Sequence, residues 1–292
     1  MKSLFIILLT ALMVTGAAAQ QSGNSAYSNG RYDAIGKPDF DSKLYLNDST
    51  FIIEGSVMKN VIADGYTATF GLAEEGTSLK DCNKRITDRI NNFIDDLIKF
   101  GIQKNDVFVD MTTQNKIYDY NISQGVAEQY LKGFELKKNV IFKFTKISDL
   151  DKIVIIAADY KIYDLVKVDY IVNDIEAVYQ ELFKTATFII DKKKALYSAS
   201  GVSDVDIKGT QVYGEQFNSF YPTQLYKSYT INESSDYYDY DGSRKKKDLR
   251  KSPTFYYDKI NTSGFDKIIN PYVIEPAVEF VLILQMKYKV KK

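Results

Sequence analysis

Histidine and tryptophan are absent from this chain of 292 residues, and cysteine occurs once. Without histidine there is no His-based triad, no imidazole general base and no ordinary zinc or haem ligand set. The single cysteine, Cys82, excludes an intramolecular disulfide. An excess of one charge is also lacking. The 38 Lys and Arg balance the 38 Asp and Glu, so nothing in the overall charge attracts nucleic acid or an anionic membrane. What the chain has is aromatic and aliphatic: 23 Tyr, 17 Phe and a hydrophobic share of 45 %, enough for a globular core in one domain or two.

The N-terminus reads as a signal peptide. Lys2 precedes a short apolar run at 4–14, and Ala17, Ala18 and Ala19 form a small-residue cleavage pattern. Cutting there leaves Gln20 first. No cysteine follows the run, so a lipid-modified N-terminal Cys is excluded. The expectation is an exported protein of the periplasm or outer envelope. Residues 20–47 are rich in Gly, Ser, Asn and Asp and read as an irregular arm.

From Phe51 the pattern becomes regular. FIIEGSV and GYTATFGLA read as strands. Ser78 caps a long helix, with Asp81 three residues on. Leu79, Cys82, Ile86, Ile90, Phe93, Ile94 and Leu97 recur at three- and four-residue steps and stripe one face, which makes Cys82 a buried apolar residue rather than a reactive thiol. Gly101 stops the helix. Strands are expected at 107–111, 116–120 and 131–145, with a hairpin loop at 121–128. Ser148 reads as the cap of a short helix carrying Leu150, Ile153, Val154 and Ala157. Val166, Val168, Tyr170 and Val172 alternate as a strand. Asn173 with Glu176 reads as the start of a second long helix, striped by Ile175, Val178, Leu182, Ala186, Ile189 and Ile190 and closed near Gly201. A strand follows at 205–212. The closing segment places Val278, Phe280, Leu282, Leu284, Met286 and Tyr288 on one face at period two, and its uncharged run, bracketed by Glu279 and Lys287, is too short for a membrane helix. The expected fold is α+β: two strand–long helix–strand units on a mixed or antiparallel sheet, with a long C-terminal strand paired to strands from early in the chain.

The order of these motifs resembles the SIMPL-domain family of exported bacterial envelope proteins. Gly55 matches its first glycine and Asp64 the acidic member of its Pro-Asp pair, with Ala63 in place of proline. Gly101, Ile102, Asp106 and Val107 match its central motif. Gly133-Phe134 stands at its Gly-Tyr position, and Asn173-Asp174 precedes the second helix. The resemblance covers 51–290. Two departures stand out: the second helix carries Phe183, Phe188 and three lysines at 192–194 where the family is alanine-rich, and residues 231–264 read as a polar insertion that projects from the body. The resemblance implies stress tolerance, surface exposure and oligomeric assembly, and supplies no catalytic residue.

Chemical sites are sparse. Asp239 and Asp241 before Gly242 are weak candidates for a calcium loop, but Tyr237 fills the first ligand position and no Glu closes it. The basic run at 244–247 reads as a solvated loop beside its acids. The tyrosines could supply a glycan platform, although their scatter favours core and sheet. Sequons at Asn47, Asn121, Asn232 and Asn261 arise readily by chance in an Asn-rich chain. The leading expectation is therefore a non-enzymatic envelope protein that forms a homo-oligomer, without cofactor, metal or nucleic acid. A binding module for a glycan, ligand or envelope protein, working through the Tyr/Asp/Lys-rich insertion, is second. A hydrolase using paired carboxylates is third.

Overall fold

The computed structural model describes residues 44–47, 50–200, 205–229 and 253–290. Its first strands are β1 (Leu44–Asn47), β2 (Thr50–Val61) and β3 (Gly65–Gly76). Residues 44–47, expected within the irregular arm, thus form a strand, paired antiparallel to β2. Helix α1 (Leu79–Phe100) follows. The Ser78 hydroxyl accepts from the Asp81 N–H at 3.2 Å, and the expected stripe lies inward, with Cys82, Ile86, Ile90, Phe93 and Leu97 buried.

The end of α1 answers why a glycine stands there. Gly101 has φ 118° and lies in the left-handed region. Its N–H reaches Ile98 O at 3.0 Å, and the next N–H, from Ile102, reaches Leu97 O at 2.9 Å. These are the two bonds of a Schellman motif, and the buried Ile102 shares the core with Leu97. Lys104–Asp106 then form a 3-10 turn, in which the Asp106 N–H donates to Gln103 O.

Strand β4 (Val107–Ser123) runs unbroken into β5 (Val126–Phe144). The expected loop at 121–128 shrinks to Gln124 and Gly125, both at positive φ, as a type I′ hairpin turn requires. After a short turn at Ile147–Asp149 comes α2 (Leu150–Asp159). Ser148 sits inside that turn, and Asp149 occupies the cap position without a side-chain cap bond. Ile153 and Ala157 are buried, whereas Val154, expected on the same face, is exposed. Helix α2 ends as α1 does, except that Lys161 takes the left-handed position, at φ 57°, and Ile162 N–H closes onto Ala157 O.

Strand β6 (Asp164–Ile171) leads into α3 (Ile175–Ala199). Asp174 caps it, one residue later than expected, by accepting from Ala177 N–H at 2.8 Å. Val178, Leu182, Ala186 and Ile190 face inward. The chain continues through β7 (Val205–Phe220), the short α4 (Pro222–Leu225), β8 (Tyr226–Tyr229), β9 (Thr254–Tyr257), β10 (Lys267–Ile269) and β11 (Val278–Val290).

Two sheets carry the body. One has the order β1-β2-β11-β7, with β10 added parallel to β2; the other is β4-β5-β3-β6, all antiparallel. The fold is α+β. Helix α1 packs on β3 and β5, and α3 packs on β2 and β11. The repeated unit does not place its strands alike. The first, β3–α1–β4, stays within one sheet, whereas the second, β6–α3–β7, crosses to the other. One contiguous core joins them, from Phe70, Phe93 and Phe142 to Leu182, Phe280 and Leu282.

The terminal strand is buried on both faces. Phe280, Leu282 and Leu284 enter the main core, while Val281 and Ile283 meet Met58 and Phe220 beneath Leu225, Ile260 and Phe265. That second layer explains why the strand lacks a clean polar face. It also changes the picture of the segment expected to project. Residues 230–252 lie outside the described residues, but from Pro253 onward the segment packs on the body: β9 pairs with β8, and Tyr257 and Ile260 bond the buried Glu279.

Candidate functional site

The described residues among those singled out in the sequence do not converge on one point; they fix joints of the scaffold. At Gly55 an added Cβ would lie 2.8 Å from Ala186 O and 3.0 Å from Ile190 Cγ1, so the glycine lets α3 approach β2. Gly133 has the same role, since a Cβ there would lie 2.6 Å from Gly76 O. Asp64 ties the two units together. Its carboxylate accepts from Asn173 N–H at 2.8 Å, and its own N–H donates to Ile171 O at 2.8 Å. Gly101 and Ile102 close α1, and Asp106 ends the turn that follows. Gly201, Asp239 and Asp241 lie outside the described residues.

Two polar networks strap the chain after β9 to the body. The Asp266 carboxylate accepts from Ser56 N–H at 2.9 Å, from the Ser56 hydroxyl at 3.1 Å and from Lys193 at 2.6 Å. Lys193 also donates to Glu54 O, and Gln285 to the Glu54 carboxylate. Lys193 therefore has a carboxylate as its partner. In the second network the buried Glu279 accepts from the Tyr257 hydroxyl at 2.8 Å and from Ile260 N–H at 2.9 Å. Burial pushes the Glu279 carboxyl above its ordinary range; those two hydrogen bonds oppose the rise without cancelling it. Both networks connect elements distant in sequence. Among the described residues, no group of three or more His, Cys, Asp or Glu is placed to hold a metal ion. Cys82 is buried, as its place on the stripe implies, with its thiol near Phe134 O.

The β4–β5 hairpin is built differently. Strand β3 ends opposite Phe134, so beyond Gly133 the two strands pair only with each other. The register sets Tyr118 opposite Leu131, Tyr120 opposite Gln129 and Ile122 opposite Ala127. Directly opposed residues share a face, so Tyr118, Tyr120, Ile122, Ala127 and Leu131 share one mostly apolar face with Gln129, while Val126 and Tyr130 fall on the opposite one. Asp119, Glu128 and Lys132 lie on that opposite face, where Lys132 and Asp119 form a 2.9 Å ion pair that holds the Asp119 carboxyl below its usual range. The apolar face is uncovered, with Ile122 80 % exposed and Tyr120 58 %. Sequence inspection found the hairpin, as strands at 116–120 and 131–145 around a loop at 121–128, but missed that its strands continue to Ser123 and Val126 with one mostly apolar face. The available signal was strand-forming residues on both sides of Gln124-Gly125.

Comparison with known families decides the assignment. The SIMPL family model, described as a protein of unknown function (DUF541), matches residues 52–237. The chain belongs to the SIMPL family. No curated protein matches it. The matched stretch runs from β2 past β8, yet β11 lies between β2 and β7. The sheet of this SIMPL protein is thus completed by a strand beyond the match. No helix among the described residues is long and apolar enough to cross a membrane.

Proposed function

We propose that this SIMPL protein is exported and works without catalysing a reaction, as an envelope component that assembles from copies of itself and supports envelope integrity or stress tolerance. The observation that carries the reading is the arm. A two-stranded ribbon is marginal in water unless its apolar face is covered, and this one turns Tyr118, Tyr120, Ile122 and Leu131 to solvent. It also has unpaired edges among the described residues, because β4 ends its sheet and β5 has lost β3 beyond Gly133. Exposed edges with apolar side chains invite strand pairing or face-to-face packing.

A second copy suits this surface. Asp119 is neutralised by Lys132 on the face away from Tyr120 and Ile122, so that pair adds little repulsion between two arms meeting through the apolar face. An apolar patch meeting itself across a two-fold axis is the commonest closed arrangement. The signal at 4–19 supports export, and the family resemblance supports an envelope role.

Crosslinking tests the contact. Cys82 is buried, so Ile122→Cys introduces an accessible thiol at the arm, and Asp88→Cys places one on the outer face of α1 as a control. Mild oxidation should yield a covalent dimer from Ile122→Cys and little from Asp88→Cys. Equal yields from the two sites, or none from the arm, would overturn the reading.

A further inference from the structure

A cleft of about 320 Å³ opens between β6, the start of α2 and the β8–β9 ribbon. Its walls are aromatic. Tyr66 and Tyr170 stand 5.2 Å apart with their planes at 75°, and Tyr226 and Phe255 come from the ribbon. Leu150, Leu165 and Val168 add an aliphatic surface, and Glu275 is the one charged group among the described lining residues. A pocket of small-ligand size, mostly apolar with few polar groups, has the usual form of a binding site.

Two polar groups in it lack partners. Tyr66 is 3 % exposed, yet its hydroxyl has no hydrogen-bond partner among the described residues, and the Glu275 carboxylate has no ion-pair partner among them. Burial and then the Glu275 charge push the Tyr66 hydroxyl pKa up, so the two groups sense each other without touching. Asn60 Oδ1 is the side-chain atom shut off from solvent without a partner among the described residues, so the Tyr66 hydroxyl opens onto the cleft, where a bound group can donate to it. An anion is disfavoured here by Glu275. A neutral sugar would use the rings but leave the carboxylate without a counter-charge. A quaternary ammonium has no N–H for Tyr66. A primary ammonium has three donors and a positive charge that aromatic faces attract.

We propose that this cleft binds a primary alkylammonium group, whose N–H donors reach Glu275 and the Tyr66 hydroxyl oxygen while its stem lies along the aromatic and aliphatic walls. The group comes either from a free small amine or from a lysine side chain of another protein. Nothing in this depends on self-assembly through the arm.

Calorimetric titration of the purified protein tests it, with hexylammonium chloride, Nα-acetyl-lysine methylamide, hexanol and sodium hexanoate as probes. Hexylammonium should bind saturably, and hexanoate should not. Glu275→Gln, at an exposed position, should weaken hexylammonium binding about tenfold or more with the circular dichroism spectrum unchanged. Tyr66→Phe, which keeps the ring, should weaken it by a smaller factor. Binding of the blocked lysine as well as hexylammonium supports the site and assigns it to a protein lysine; binding of hexylammonium alone supports the site and assigns it to a free amine. Absence of binding by either amine, equal binding of hexanol or hexanoate, or unchanged affinity in Glu275→Gln would overturn the proposal.

Discussion

The two halves of strand β5 are equally apolar and serve opposite ends. From Leu136 onward, Val140, Phe142 and Phe144 enter the core beneath α1. Before Gly133, Val126, Tyr130 and Leu131 face solvent on the arm. The strand does not change character at Gly133; its surroundings do, because β3 ends at Gly76 beside it and the chain turns there into α1. Apolar side chains in this protein therefore stand in two settings, one buried in the core and one open to solvent, and under the proposed self-assembly the second set meets another copy. Burial, rather than composition, separates them.

Truncating the two kinds should give different results, and the largest effect belongs to the core. Phe93 is fully buried, with its ring 5.8 Å from Phe70 and 6.1 Å from Phe142. Phe93→Ala should cost about 3–5 kcal/mol. Ile122→Ala, on the arm, should stay within about 0.5 kcal/mol in the monomer. Chemical denaturation of each at low protein concentration measures the gap, and similar losses would erase the distinction between body and arm.

Joints of the body come next. Gly55→Ala forces a methyl against Ala186 O, so α3 must shift, at about 1–3 kcal/mol. Gly101→Val is a backbone test, because nothing lies within 4 Å of an added Cβ. Its left-handed φ alone should cost about 1 kcal/mol or more. Asp88→Ala, on the exposed side of the same helix, should cost little. Equal denaturation midpoints for wild type and Gly101→Val would remove the structural meaning of the glycine.

A smaller, pH-dependent effect belongs to Glu279. Its carboxyl is raised in the folded protein by burial. Its favourable contribution is thus complete below the unfolded glutamate pKa and is lost as pH rises through the raised folded value. Relative to Glu279→Gln, which does not titrate, the wild type should lose stability over that rise and regain it on acidification. Denaturation midpoints of the pair across the mildly acidic range measure this, and a constant difference would contradict it.

Sequence periodicity revealed the elements with one dry face. Helices α1 and α3 were legible because each repeats apolar residues against a single core, and strand β11 because its face toward that core is apolar at every second position although its other face is buried too. Gly101 was legible because a glycine after a stripe has few other uses. The β4–β5 hairpin was read in pieces because residues 112–116 are polar or exposed on both sides, and Gln124 masks the turn that Gly125 completes. The cap shifts at Asp149 and Asp174 arose where two polar residues adjoin and only geometry chooses between them. Lys161 hid the end of α2, since a lysine gives no sign of the left-handed conformation. The ammonium cleft was illegible because its lining comes from positions between Tyr66 and Glu275, brought together by β6 and the β8–β9 ribbon.

Light scattering is the most direct test of the claim that the arm joins copies of this chain. At micromolar concentration the protein from Gln20 onward should have a mass above that of a monomer. The doubly substituted Tyr120→Lys, Ile122→Lys protein should fall to the monomer mass with an unchanged denaturation midpoint for the body. A wild-type monomer at that concentration, or an assembly that survives both lysines, would contradict the account.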